Sequence, residues 1–251
     1  MTARIVRYLP TLVHYIPIVT TIVTVPFAIR LYRHWRSKPE ALYLAWWCAG
    51  VVLYGVGTFT ESLTTLLGWD PVVFKAWYIS GALLGGAPLA QGSVYLLLRR
   101  RTADVTAFLL LTVVATAATS VLLSPLNVSL AEPHRLSGDV LTWQWVRLFS
   151  PFINTYAFVF LVGGAAWSAL RYYHEGARNS RRVWGNVLIA VGALLPGIGG
   201  AYTRAGYVEV LYVTELIGIL TIWAGYQTIV GARTKSIHVN QENSEVSPPS
   251  T

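Results

Sequence analysis

Charge is what this chain has least of. Only 12% of its 251 residues are Asp, Glu, Lys or Arg, about half the ~25% of a soluble domain. A water-soluble fold would lack its polar skin, so the chain reads as one whose surface faces lipid. Cysteine is nearly absent. Cys48 stands alone inside an apolar run, which excludes an intrachain disulfide and any zinc cluster, and it reads as a small buried hydrophobe. Lysine is scarce too: Lys38, Lys75 and Lys235 are the whole set. None falls in the last apolar run, so an opsin-like retinal Schiff base is excluded. Of the histidines, His34, His134, His174 and His238 lie outside the apolar runs, which leaves no facing pair for haem. No strand-like segment precedes a glycine-rich phosphate loop. No cofactor and no metal site is expected.

What the chain has in abundance is apolar sequence. Hydrophobic residues make up 54% and aromatics 13%, with 10 Trp and 14 Tyr, and the mean hydropathy is +0.51. Apolar runs lie at about 9–32, 41–67, 71–98, 105–124, 149–172, 183–203 and 207–231, each long enough to cross a bilayer (roughly 17–25 residues). The first is too long for a signal-peptide core. The expected fold is all-α: a polytopic seven-transmembrane-helix bundle over 1–233, in the lipid bilayer of the cell (plasma) membrane. Residues 234–251 are polar and end in SPPST, which reads as a disordered cytoplasmic tail. Residues 125–148 are mixed and contain Pro125 and Pro133. They predict a long loop that carries a surface amphipathic helix at most.

The positive charge sets the orientation. Arg30, Arg33, Arg36, Lys38, Arg99, Arg100, Arg101, Arg171, Arg178, Arg181, Arg182, Arg233 and Lys235 fall on one side, 13 of the 19 basic residues. Arg4, Arg7, Lys75, Arg135, Arg147 and Arg204 make the other 6. The positive-inside rule places the first group in the cytoplasm, giving N-out/C-in. The net charge of +8 is thus topological; its short clusters offer no continuous basic face, and no nucleic-acid partner is expected.

Ionisable groups inside a span are costly and mark function by default. Glu61 lies seven residues before Gly68, and Glu215 about as far into the last run, so both sit about 10 Å below the outer surface at 1.5 Å per residue. The same depth rule adds His14, Tyr15, Lys75, Tyr78, Asn154, Tyr156, Tyr202, Thr203, Arg204 and Tyr212. The expected site is an outward-facing polar pocket. Glu61 and Glu215 bind a cation, a proton or a small polar ligand there, with Tyr78, Tyr212, Asn154, His14 and Arg204 around them. The competing reading keeps the glutamates as buried ion pairs that fix helix packing. Below this level the runs are mainly aliphatic, with Gln91 the chief exception. A weak repeat relates Tyr78, Gly81, Gly85 and Pro88 to Glu215, Gly218, Ile222 and Gly225. Small residues on such a stripe allow close helix contact.

Between Tyr54 and Tyr95 run YGVGTFTES, WYISGA and APLAQGSVY. This stretch of about 40 residues resembles the seven-transmembrane sensor region at the N-terminus of some bacterial histidine kinases. There an acidic residue ends the second span, and an aromatic, small residues and a proline follow in the third. The resemblance implies sensing, with Glu61, Tyr78 and Pro88 at those positions. No kinase or other effector domain follows Lys235, so sensing here implies a cytoplasmic signalling partner or a homo-oligomer. The expected function is a receptor- or sensor-like module. The alternatives are a small transporter or permease subunit, and a membrane-embedded lipid-modifying enzyme.

Overall fold

The computed structural model describes residues 11–133, 135–176 and 180–245, except for the side chains of Arg204 and 232–245. Among the described residues seven helices are long and apolar enough to cross a membrane: α1 (Leu12–Arg36), α2 (Leu42–Leu67), α3 (Pro71–Leu97), α4 (Arg100–Leu123), α5 (Gln144–His174), α6 (Ser180–Thr203) and α7 (Val208–Gly231). The protein is a multi-pass membrane protein by this measure, and no strand occurs among the described residues. The observed ends differ from the apolar runs by a few residues because polar residues continue several helices beyond the greasy part. α5 gains its first turn from a 3-10 stretch at Gln144–Leu148. The last helix runs on as Val208–Glu245, into the segment that reads as a disordered tail. Its composition explains this, since neither Gly nor Pro occurs between Gly231 and Pro248.

Six of the helices close a ring. α1 packs on α2 and α7, α2 on α3, α3 on α5, α5 on α6, and α6 on α7, while α4 lies outside against α3 and α5. Glycines set two of these contacts. Gly185, Gly192 and Gly199 on α6 face Gly225, Gly218 and Leu211 on α7 in seven-residue steps. A Cβ on Gly192 would stand 2.7 Å from the carbonyl oxygen of Gly218, and one on Gly218 2.8 Å from that of Gly192. In lipid, backbones approach this closely only where side chains are missing. On the other side of the ring Gly57 of α2 meets Gly81 of α3, where a Cβ on Gly57 would lie 3.1 Å from the Gly81 Cα.

α3 is a broken helix. Asp70 caps its start, accepting from the amides of Val72 and Val73 at 2.8 and 3.0 Å, and Pro71 takes a first-turn position where no amide is needed. A π-helical stretch follows at Tyr78–Leu83, and α-helix resumes at Ala87. Pro88 accounts for the break, because it lacks an amide and its ring clashes with the carbonyl four residues back. The Ala82 carbonyl is satisfied from α5 by Ser150 Oγ at 3.0 Å and Asn154 Nδ2 at 3.3 Å. α5 has its own π-helical stretch at Phe158–Gly163.

Among its described residues, the segment between α4 and α5 carries no amphipathic helix. It folds as short 3-10 turns at Val128–Leu130 and Gly138–Val140. The Asn127 amide donates to Val140 O at 2.8 Å and the Thr142 amide to Pro125 O at 3.0 Å. Leu136, Val140, Leu141 and Val146 are buried in one cluster with Phe74, Trp77 and Tyr78 of α3. The loop is therefore a lid over the end of the bundle that carries Gly68.

Candidate functional site

The α2–α3 hairpin positions the first carboxyl group. Glu61 lies four residues after Gly57, and Trp77 four before Gly81. The antiparallel register that pairs the glycines therefore sets Glu61 opposite Trp77. The indole Nε1–H of Trp77 donates to Glu61 Oε1 at 3.0 Å, and the two residues are 3% and 8% exposed.

The second carboxyl group comes from α7, the helix on the other side of α1. The side chains of Glu61 and Glu215 lie within hydrogen-bonding reach of each other. Tyr54, two turns from Glu61 on α2, donates its hydroxyl to the backbone carbonyl of Glu215 at 2.9 Å and so tethers α7 to α2. No donor reaches Oε2 of either glutamate among the described residues, and both atoms are buried. An ionised carboxylate only accepts hydrogen bonds. Contact between two buried carboxyl groups thus requires a proton on one of them, or a cation held by both.

The other residues singled out above divide into three groups. Tyr212, 3% exposed, and His14 close over the pair from α7 and α1. Their rings meet edge to face with centroids 5.9 Å apart, and the His14 carbonyl accepts from Thr65 Oγ1 of α2 at 3.0 Å. Tyr78 belongs to the lid cluster beside Trp77. A Cβ on Gly138 of the lid would lie 3.0 Å from its ring, so the loop rests on it. Asn154 and Lys75 serve helix ends. Asn154 occupies the broken backbone at Ala82, and Lys75 Nζ donates to Leu122 O at 2.6 Å, at the end of α4 where carbonyls lack intrahelical partners. Tyr156 belongs elsewhere as well: its hydroxyl donates to Gln91 Oε1. Gln91, wholly buried, donates in turn to Ala103 O at 3.0 Å and Thr106 Oγ1 at 3.3 Å. The side chain of Arg204 lies outside the described residues.

Arg135 of the lid reaches α6, its Nη2 donating to Thr203 O at 3.4 Å while Nη1 pairs with Glu132 at 3.0 Å. Trp77 and Tyr54 are the two site residues that depth reasoning passes over: Tyr54 stands midway along α2, below the polar level, and Trp77 meets Glu61 through the register of the α2–α3 hairpin. Among the described residues no group of three or more His, Cys, Asp or Glu stands together as a metal site. No known family model matches the chain, and no curated protein is similar to it.

Proposed function

We propose that this protein is a receptor- or sensor-like membrane module whose responding element is the Glu61–Glu215 carboxyl pair. The ligand is a proton, with a small cation as its competitor for the same oxygens. One observation carries this reading. Two carboxyl groups from the helices that flank α1 meet in the buried interior, and among the described residues neither Oε2 has a donor. A packing role alone is served by apolar residues at lower cost, since unpaired buried carboxylates are destabilising. The pair joins α2 to α7 across α1, so its loading biases the contact between these two helices. The charge split of 13 to 6 supports an orientation with the lid outside the cell membrane and the end of α7 inside, where a cytoplasmic signalling partner or a second copy would receive the change. The resemblance of residues 54–95 to sensor regions of histidine kinases points the same way.

The test is hydrogen exchange of the full chain in nanodiscs as pH and sodium are varied, for the wild type, E61Q and E215Q. The reading expects protection of α2 and α7 to change with conditions in the wild type and to be insensitive in both variants. An equal response in all three proteins overturns it.

A small transporter is the second reading, favoured by the interrupted α3 and the π-helical stretch of α5. Broken helices at mid-depth are a device of transporters. Proteoliposome flux that is lost in E61Q and E215Q would select it over sensing.

A further inference from the structure

The carboxyl pair is covered from α1, which packs against both α2 and α7. His14 stands one helical turn beyond each glutamate, on the side of the lid. Toward α2, its carbonyl accepts from Thr65 Oγ1 at 3.0 Å, and Thr65 lies four residues after Glu61. Toward α7, its ring meets the ring of Tyr212 edge to face, and Tyr212 lies three residues before Glu215. Residues three or four apart share a helix face. The two contacts therefore place His14 over the same face of each helix that carries its glutamate.

His14 also reaches solvent. Its Nδ1 is bonded to Thr11 Oγ1 at 2.9 Å, and Thr11 is exposed. The Oε2 atoms of the pair are buried. The other groups around the pair are poor proton carriers. Tyr54 has committed its hydroxyl to the Glu215 carbonyl. Trp77 gives its indole N–H to Glu61, and an indole nitrogen only donates. Arg135 of the lid and Glu209 at the start of α7 lie near Tyr212. A guanidinium keeps its protons throughout, Glu209 is exposed, and a phenol such as Tyr212 holds its proton at neutral pH. Tyr15, next to His14 on α1, is an exposed phenol. Imidazole is the side chain that takes up and releases protons between about pH 5 and 8. Its two nitrogens let one proton enter as another leaves.

We propose that His14 is the port through which the carboxyl pair exchanges its proton with water at the lid end of the bundle. This rests on the reading of the pair as a proton-loading element. In the tautomer that carries its proton on Nε2, Nδ1 accepts from the Thr11 hydroxyl. A proton from water binds Nδ1, and the Nε2 proton passes to a carboxylate oxygen of the pair. The ring ends neutral as the other tautomer, and the pair has gained one proton. Unloading runs the same steps in reverse. His14 thus sets how fast the pair responds, while the carboxyl groups set the equilibrium.

Infrared spectroscopy of the full chain in nanodiscs, followed after transfer to heavy water, tests this. The signal is the deuterium shift of the buried carboxylic-acid band, identified as the band that E61Q and E215Q shift or abolish. His14→Gln keeps a polar side chain of similar size but cannot relay a proton. It should leave the size of the band unchanged and slow its deuterium exchange by about a hundredfold. His14→Ala leaves room for a free imidazole. Its exchange should be slow and should recover in proportion to added imidazole, whereas the wild type should not respond. Exchange in H14Q at the wild-type rate overturns the proposal, and so does slow exchange in H14A that imidazole does not restore. Either result with the wild-type band intact leaves the pair's protonation standing. A wild type without the band overturns the reading of the pair and this port together.

Discussion

The indole of Trp77 donates to Glu61 Oε1 at 3.0 Å across the α2–α3 interface. It is the donor that reaches the carboxyl pair from this hairpin, and both partners are buried. Trp77→Phe keeps most of the ring volume and removes the donor, leaving a buried acceptor unsatisfied at a cost of about 1–3 kcal/mol. Replacing both partners is cheaper than leaving one orphaned. The double variant W77F/E61L should therefore recover part of the loss, and a double-mutant cycle of unfolding free energies in detergent checks it.

The lid was illegible in the sequence. Leu136, Val140 and Leu141 follow neither helical nor strand period, and they are buried in a cluster to which α3 supplies Phe74, Trp77 and Tyr78 and α4 supplies Leu110, Val114 and Val121. The spans were legible, since length and hydropathy suffice for them. So was the matched depth of Glu61 and Glu215, which needs only a count from the span ends. Trp77 escaped because its role follows from the register of a hairpin, and that register is set by Gly57 and Gly81 at their point of contact. The hydrogen bond from Asn154 to Ala82 O is not legible in the sequence either, because it depends on where α3 breaks.

That shared carbonyl gives a non-additive pair. Ser150 and Asn154 both donate to Ala82 O. Ser150→Ala or Asn154→Ala alone leaves one donor in place and should cost under about 1 kcal/mol, whereas the double variant orphans the carbonyl and should cost about 1–3 kcal/mol. Equal and additive losses would mean that the two donors act independently and do not stand in for each other at the Ala82 carbonyl.

The α6–α7 contact should reject a single methyl group. In Gly218→Ala the new Cβ meets the Gly192 carbonyl oxygen at 2.8 Å and the Pro196 ring at 3.0 Å. Overpacking against backbone costs about 1–3 kcal/mol. Gly197→Ala is the control: nothing lies within 4 Å of that Cβ, and its midpoint of thermal unfolding should match or exceed the wild type.

Acid should loosen the lid. Asp139 accepts from Ser137 Oγ at 2.7 Å and pairs with Arg147. The Ser137 hydrogen bond, followed by the Arg147 charge, holds its carboxyl below the ordinary range. A depressed value in the folded state adds stability above the ordinary carboxyl range, and that stability is lost as pH falls through the folded value. Because both side chains are partly in solvent, the effect is small. Hydrogen exchange of residues 135–148 should be faster in D139N than in the wild type at neutral pH, and the difference should vanish in strong acid.

The infrared spectrum of protonated carboxyl groups tests the shared load of Glu61 and Glu215 most directly. The account predicts a buried carboxylic-acid band in the wild type at neutral pH. That band should be shifted or lost in both E61Q and E215Q, because each substitution removes one half of the pair. A band unchanged by either substitution, or its absence from the wild type with no cation bound, would contradict the account.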